Sequence, residues 1–196
     1  MSATIFLARH GTHDEVGRIL SGRSGIGLSS AGLDQAARLA AHCASLGLTA
    51  IHSSPRPRAR QTAEIVAKAF GLEPIVVDDL DEIDFGAWTG RSFAALDADR
   101  RWRRWNSRRA LARPPGGETM AAATGRIVRH LDRLAAKGCS HVLCVSHCDI
   151  IRGAVAFYAG LGFDRMLEFE IEPGSLSSLF LDDRCARVLQ LNEVPR

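Results

Sequence analysis

The stretch Thr4-Ile-Phe-Leu-Ala-Arg-His-Gly11 decides the fold class of this 196-residue chain. Its apolar residues form a short uninterrupted run, which is typical of a strand buried on both faces of a parallel sheet. Ligands of such sheets bind beyond the carboxyl ends of the strands, so Arg9 and His10 are expected at a binding edge. The residues that follow each later strand are therefore the candidates for chemistry.

Strand-like and helix-like segments alternate along the rest of the chain. Further strands are predicted at 49–53, 74–77 and 142–145, and two or three closing strands among 167–172, 176–182 and 186–192. Helices are predicted from a cap at Ser29 or Ser30 to a stop at Gly47, at 57–70, at 118–136, and from a cap at Asp149 to about 158. The repeated βα units predict an α/β three-layer sandwich, with a mostly parallel central sheet, helices on both faces and an antiparallel closing part.

Composition and charge limit the class of protein. Hydrophobic residues make up 46% of the chain and charged residues 24%, as in an ordinary globular protein. We predict a single domain over residues 1–196. The net charge of +3 is too small to predict nucleic-acid binding. The five cysteines lie in apolar runs and do not suggest disulfides. Because no leader-like or membrane-spanning stretch is seen, we expect a cytoplasmic protein without membrane partners.

Charged side chains follow each predicted parallel strand. Arg9 and His10 come after the first, Arg58 after the second, the acidic run 78–82 after the third and His147 after the fourth. Guanidiniums bind a phosphate dianion bidentately, and a neutral imidazole can attack phosphorus with its lone pair. A carboxylic acid can protonate the leaving alkoxide. The set indicates phosphoryl transfer that needs no metal.

Five motifs resemble those of the histidine phosphatase superfamily, which includes the phosphoglycerate mutases. In family order they are Arg9-His10-Gly11, Ser54-Pro-Arg-Pro-Arg58-Ala-Arg-Gln61-Thr62, Glu82-Ile-Asp-Phe-Gly86-Ala-Trp88-Thr-Gly90, Pro115-Gly-Gly-Glu118, and Val145-Ser146-His147 followed by Ile151-Arg152. The first motif is weak alone, but the five together are specific.

The resemblance implies a role for each residue of the set. His10 would carry the phosphoryl group, which Arg9, Arg58 and His147 would hold, and Glu82 would donate the proton. It also implies a phosphoglycerate mutase-like fold, a small phosphorylated substrate, and no metal or organic cofactor. We therefore predict a metal-independent phosphomonoester hydrolase that works through a phosphohistidine.

Departures from the family pattern concern the substrate more than the chemistry. Thr12-His13 stands where the family usually has Glu-Thr, and Val16 falls where it has an asparagine. His13 is then a substrate ligand, a second acid or a surface loop residue. Cys148 replaces a glycine, and we favour a small tolerated residue over an oxidisable thiol.

Two further features leave alternatives open. Residues 100–109, with Arg113 beyond them, are rich in arginine and tryptophan and lie in a stretch, 100–116, that is a candidate lid or loop. We favour inward tryptophans and a solvated arginine face over nucleic-acid binding or contact with a phosphorylated substrate. The spacing of Cys139, Cys144 and Cys148 is loosely metal-like, but core packing on a buried strand is the favoured interpretation.

Three rival functions remain beside hydrolysis. A cofactor-dependent phosphoglycerate mutase would use the same residues, but the family's mutases carry an insertion after the position of Gly90 that this chain lacks. A phosphoprotein phosphatase fits the same motifs. A binding module without catalysis would not need His10 and Glu82 intact. A homodimer is a hypothesis that rests only on how common such assemblies are.

Overall fold

Strands and helices alternate along most of the chain in the computed structural model, which describes residues 2–196. In chain order the elements are β1 (Ala3–Arg9), α1 (Ser30–Cys43), β2 (Ala50–Ser53), α2 (Pro57–Phe70), β3 (Ile75–Val76), α3 (Phe93–Asp97), α4 (Arg100–Ser107), α5 (Met120–Ala136), β4 (Val142–Ser146), α6 (Cys148–Tyr158), β5 (Leu176–Leu181) and β6 (Ala186–Glu193). Short 3-10 helices lie at Asp78–Leu80, Gly86–Trp88 and Phe163–Glu168.

The strands form one mixed sheet in the order β3-β2-β4-β1-β5-β6. β4 lies parallel to both β1 and β2, and β2 is parallel to β3. β5 runs antiparallel to β1 and to β6. The sheet confirms the predicted architecture, including its antiparallel closing part. Because β1 and β4 are parallel neighbours, the residues that follow them meet at the same edge of the sheet.

Alternate side chains of β1 enter two cores, one on each face of the sheet. Phe6 and Ala8 pack with the apolar residues of α1 and α2. Ile5 and Leu7 belong to the larger core, to which α5 and α6 contribute. This division follows from the two-residue period of a strand, and it confirms the prediction of helices on both faces.

Two of the helix starts, those of α5 and α6, differ from prediction by one or two residues. Ser29 caps α1 by accepting from the backbone N–H of Gly32, as expected. Thr119 caps α5, so that helix begins after Glu118. His147 is the N-cap residue of α6, and Asp149 lies in its first turn. Asp149 does not cap the helix because its carboxylate pairs with Arg109.

The predicted strand at 167–172 is wrong. Its first residues belong to the 3-10 helix Phe163–Glu168, and the rest is irregular. The alternation of apolar residues with glutamates imitates a strand, but β5 already has neighbours on both sides. Arginine side chains hydrogen-bond to the carbonyl groups of segment 167–172 instead of a neighbouring strand. Arg9 donates to the oxygen of Ile171, and Arg152 donates to the oxygen of Phe169.

The arginine- and tryptophan-rich segment is a helix over its first half, so the expectation of a loop is wrong there, whereas a lid stays a prediction. Trp102 and Trp105 of α4 are buried in the larger core and contact Trp88 edge-to-face. The arginines of the helix are exposed. This confirms the interpretation of inward tryptophans with a solvated arginine face.

No helix within residues 2–196 is both long and apolar enough to cross a bilayer. The longest, α5, has 17 residues and carries arginines along its length. A membrane span needs about 20 mostly apolar residues. The cytoplasmic location and the single domain over residues 1–196 stay predictions.

Candidate active site

The carboxyl ends of β1 and β4 bring His10 and His147 together. Their ring centroids are 5.1 Å apart in an edge-on arrangement. The backbone N–H of His10 donates to the oxygen of Ser146, which continues the pairing of the two strands by one residue. Both imidazoles are buried in the sequence-predicted position at the edge of the sheet.

Gly11 allows helix α1 to approach the end of β1 closely. A Cβ atom at Gly11 would lie 2.4 Å from the carbonyl oxygen of Gly32, and one at Gly32 would lie 2.0 Å from that of Thr12. No side chain fits at such distances without moving the backbone. The glycine of the first motif is therefore required by packing beside the candidate nucleophile.

The His10 ring is held in one tautomer. Its Nδ1 donates to the Gly11 carbonyl oxygen at 2.7 Å, and its Nε2 accepts from the Nε–H of Arg58 at 3.1 Å. Burial lowers the pKa of His10 well below its usual value, and the charges of Arg58 and Arg9 lower it further. The ring is thus neutral near pH 7, with a lone pair on Nε2 at the wall of a cavity.

Two guanidiniums line the cavity with His10, and one of them, Arg58, donates to that lone pair. Arg58 is only 1% exposed, and its Nη2 donates to the oxygen of Gly22 at 2.6 Å and lies 3.2 Å from Nδ1 of His147. Arg9 donates from Nη1 to the oxygen of Ile171, while its buried Nε has no partner within residues 2–196. Because an unpaired buried donor is costly, the Arg9 N–H favours an anionic ligand.

His147 is neutral in the free pocket. A guanidinium can only donate, so Nδ1 of His147 accepts from Arg58 and Nε2 donates to the hydroxyl of Ser54 at 2.7 Å. Burial lowers its pKa well below the usual value, with Arg58 and His10 acting in the same direction. A bound dianion would favour a second proton on the ring, which could then donate from Nδ1.

Glu82 completes the ring of side chains around the cavity. Its Oε2 lies 3.7 Å from Nδ1 of His147, and its Oε1 accepts from the backbone N–H of Ile83 at 2.9 Å. Burial raises the pKa of Glu82 to about 7, and the nearby charge of Asp149 raises it further, whereas Arg58 opposes the shift. A substantial fraction of the carboxyl groups therefore holds a proton at neutral pH, as a general acid must.

Arg126 holds the loop that carries Glu82, and the sequence analysis missed it. Its guanidinium donates to the carbonyl oxygens of Asp79, Asp81 and Glu82, and it pairs with the carboxylate of Glu118. A buried charge with this many acceptors fixes the backbone on both sides of the carboxylate. The available signal was an arginine on the apolar face of α5.

The third and fourth motifs contact each other. Gly86 has a φ of 52°, and a Cβ atom there would lie 2.2 Å from the oxygen of Pro115. The backbone N–H of Glu118 donates to the oxygen of Asp84 at 2.8 Å. The Pro115-Gly-Gly-Glu118 motif therefore acts through the loop that carries Glu82 and does not line the cavity.

Three of the positions that depart from the family pattern, His13, Val16 and Cys148, line the cavity, which has a volume of about 300 Å³. His13 is buried with its ring centroid 5.5 Å from that of His10, so the surface-loop interpretation is wrong. Burial lowers the pKa of His13 to about 4, with help from Arg58, which makes it a poor acid near neutral pH. Burial raises the pKa of the Cys148 thiol to about 11, which opposes facile oxidation.

One arginine of the 100–113 region reaches the cavity. Arg109 is buried, its Nη1 lies 2.8 Å from Oδ2 of Asp149, and its guanidinium stacks 5.1 Å above the ring of Trp105. Both members of the ion pair line the cavity. The sequence had offered arginines of this region as substrate contacts without selecting one, and such a contact stays a prediction.

An α/β sheet with neutral imidazoles, guanidiniums and a protonatable carboxyl at its carboxyl edge defines a class of phosphoryl-transfer protein. The family model described as histidine phosphatase superfamily (branch 1) matches residues 5–194. The chain therefore belongs to the histidine phosphatase superfamily, which confirms the resemblance drawn from its motifs.

Individual relatives agree with this membership. Over 186 residues the chain is 37% identical to the bifunctional protein Rv2228c of Mycobacterium tuberculosis, covering 91% of this chain but only 50% of that one. It is 26% identical over 193 residues to the adenosylcobalamin/alpha-ribazole phosphatase of Escherichia coli, covering 96% and 95% of the two chains. The solved structure of Bacillus stearothermophilus YhfR superposes with a TM-score of 0.91 at 24% identity over 98% of both chains, which confirms the fold. The chain thus spans about half the length of the mycobacterial relative.

Proposed function

We propose that this protein hydrolyses phosphomonoesters through a phosphohistidine on His10, with Glu82 as the proton donor. The observation that carries the proposal is the orientation of the His10 ring. Its Nδ1 proton is tied to Gly11, so the lone pair lies on Nε2, beside the guanidinium of Arg58. A neutral nucleophile in a cavity lined by cations suits attack on a phosphate dianion.

In the first step, Nε2 of His10 attacks phosphorus and a nitrogen–phosphorus bond forms. The bond between phosphorus and the ester oxygen breaks, and the protonated carboxyl of Glu82 gives its proton to the departing alkoxide. Arg58 exchanges its hydrogen bond with Nε2 for bonds to the phosphoryl oxygens. The Nε–H of Arg9 and a protonated His147 hold the remaining oxygens.

In the second step, water attacks the phosphorus of the phosphohistidine. The carboxylate of Glu82 accepts a proton from that water, the nitrogen–phosphorus bond breaks, and the ring of His10 recovers its lone pair. Inorganic phosphate leaves. The same carboxyl therefore serves as acid and then as base, for which a pKa of about 7 is well matched to neutral pH.

A small organic phosphate is the substrate class we propose. The cavity of about 300 Å³ has an apolar side formed by Leu20, Phe85, Phe93 and Trp102. Beside it the Arg109–Asp149 pair offers polar contacts. Such a wall accommodates a compact carbon skeleton more readily than a folded phosphoprotein. The Escherichia coli relative is named for a phosphatase of one such small molecule.

The decisive experiment looks for the phosphoenzyme. After removal of metals by EDTA dialysis, the protein is mixed with p-nitrophenyl phosphate, quenched within one turnover, and its intact mass is measured. We expect a species heavier by one phosphoryl group, absent from His10→Ala. His42→Gln serves as the matched control, since His42 lies on α1 and pairs with Glu193. Undiminished turnover by His10→Ala would refute the mechanism.

A substrate test separates hydrolysis from the rival activities. The protein is incubated with 3-phosphoglycerate and 2,3-bisphosphoglycerate, and 2-phosphoglycerate and free phosphate are both measured. We expect phosphate release to dominate, and faster formation of 2-phosphoglycerate would identify a mutase. Phosphopeptides that were hydrolysed more efficiently than every small ester in a screen would identify a phosphoprotein phosphatase.

A further inference from the structure

A second cluster of metal-binding side chains lies outside the catalytic cavity. His52 on β2, Cys144 on β4 and His130 on α5 each place a ligand atom within 4.8 Å of the other two. His52 and Cys144 are direct register partners on neighbouring parallel strands, and α5 covers that face of the sheet. Three separate elements therefore converge on one point.

The two imidazoles already contact each other through ring nitrogens. Nδ1 of His52 lies 2.9 Å from Nε2 of His130, and the ring centroids are 5.0 Å apart. One nitrogen donates and the other accepts, so at least one lone pair in the cluster is aimed at its neighbour. The thiol of Cys144 is buried and forms no disulfide.

We propose that His52, His130 and Cys144 form a zinc site that joins β2, β4 and α5. Two imidazole nitrogens and one sulfur are the donor set of borderline-soft cations, whereas Mg²⁺ and Ca²⁺ take oxygen ligands. Tetrahedral zinc with bonds of about 2.0–2.3 Å needs ligand atoms roughly 3.3–3.7 Å apart. The ligand atoms lie within 4.8 Å of one another, and the two nitrogens at 2.9 Å have to move apart to admit the ion.

The binding step has a simple proton balance. Cys144 loses its thiol proton to solvent as the zinc–sulfur bond forms. The imidazole that donates the His52–His130 hydrogen bond moves its proton to its other ring nitrogen, which frees both facing nitrogens for the metal. No electron transfer is involved, and water supplies the fourth ligand.

One ligand of the cluster reaches the surface, while His130 and Cys144 are buried. His52 is partly exposed and lines a surface cavity of about 640 Å³, together with Leu134 and the segment 137–142. None of the three ligands lines the cavity that contains His10. The site is therefore separate from the catalytic cavity, although β2 and β4 lead directly into Ser54 and His147.

Cobalt and zinc titrations test the proposal. The full chain is reduced, stripped with EDTA and titrated with Co²⁺, which gives a thiolate charge-transfer absorption band only when sulfur is bound. We expect one equivalent of Co²⁺ to give this band and Zn²⁺ to displace it. Cys144→Ala should abolish the band, and His52→Gln should weaken Zn²⁺ binding by more than about 100-fold, since even outer-shell changes cost about 10–100-fold.

Matched controls make the outcome decisive. Cys139→Ser and His42→Gln remove residues of the same types outside the cluster and should leave the titration unchanged. His10→Ala should also bind normally, because the catalytic histidines take no part. Absence of uptake by the unmodified chain, a band that survives in Cys144→Ala, or uptake lost in His10→Ala and kept in His52→Gln would overturn the zinc site. Since His52 is partly exposed, its variant also decides the question if Cys144→Ala fails to fold.

Discussion

At the scale of single residues, the free pocket combines neutral imidazoles with cationic guanidiniums. Burial is the largest cause of the lowered pKa values of His10 and His147 and of the raised pKa of Glu82. Burial thereby favours the uncharged forms of the two imidazoles and of the Glu82 carboxyl group until an anion binds. In the free pocket Arg58 donates a hydrogen bond to the Nε2 lone pair of His10. Phosphate binding must therefore also break this hydrogen bond before Nε2 can attack.

Glu82→Gln tests the proton donor. An amide cannot protonate an alkoxide, so we expect hydrolysis of an alkyl phosphate to slow by about 100-fold or more. The p-nitrophenyl ester should slow by less than about tenfold, because its leaving group needs little protonation. Steady-state kcat/KM for the two esters is the measurement. Equal slowing of both would show that Glu82 is not the general acid.

Asp149→Asn tests the charge that helps to keep Glu82 protonated. The first step needs the acid form of Glu82, so kcat/KM should fall as the pH rises through its pKa of about 7. Removal of the Asp149 charge lowers that pKa, and the unpaired Arg109 lowers it further. We expect the alkaline limb of the pH profile to move to lower pH.

The control for this shift is Asp132→Asn. The Asp132 carboxylate accepts a hydrogen bond from Tyr158 and does not line the catalytic cavity. Its pH profile should match that of the unmodified protein. An unchanged profile in Asp149→Asn would mean that Asp149 has no electrostatic influence on the acid.

The site residues differ in how far the sequence can predict them. His10, Arg58 and His147 directly follow strands or open a helix, and their motifs are local. Arg126 and Arg109 have partners about 40 positions away in the sequence. Arg126 donates to the oxygen of Asp81, and Arg109 pairs with Asp149. No local pattern encodes a pairing of that range, because the fold alone brings the partners together.

At the scale of elements, the loop between β3 and α3 depends on α5 for its position. Arg126→Met removes a donor from the backbone oxygens of Asp79 and Asp81, and it removes the main partner of Glu118. The oxygen of Glu82 loses one of its two donors and keeps the other, Arg23. Loss of one partner from a buried charged network costs about 3–5 kcal/mol in the free energy of unfolding. Urea denaturation should show this loss, and kcat should fall because Glu82 is no longer held in place.

Arg129→Met is the matched control on the same helix. Arg129 is exposed, so its substitution should change the free energy of unfolding by no more than about 0.5 kcal/mol. If the Arg126 and Arg129 variants were equally stable and active, the proposed support of the loop would be wrong.

The elements themselves were predictable wherever apolar periodicity and local caps coincide. The apolar positions of α1 and the runs of β1 and β4 satisfy this condition. Segment 167–172 has the right period, but it pairs with no strand of the sheet and side chains take up its carbonyl groups. Helix α4 was obscured because its arginines dominate the sequence, while two tryptophans determine its packing.

At the scale of the whole molecule, inorganic phosphate should stabilise the fold. A ligand that binds only the folded state at 100 times its Kd adds about 2.7 kcal/mol, which corresponds to several degrees in Tm. We expect phosphate to raise the Tm measured by thermal denaturation, and we expect no such increase in Arg58→Met. The exposed Arg60 on the same helix supplies the control Arg60→Met, and sodium chloride matches the ionic strength. An equal rise in Arg58→Met would place the anion elsewhere.

The order of strands also has a consequence for how the chain folds. β1 carries the nucleophile, yet its neighbours are β4 and β5, so Ile5 pairs with Val142 and with Leu179. Contacts of such long sequence separation form slowly, and an apolar strand without neighbours is prone to aggregate. During synthesis β1 must wait for most of the chain to leave the ribosome. His10 is thus made well before the later strands that complete its surroundings.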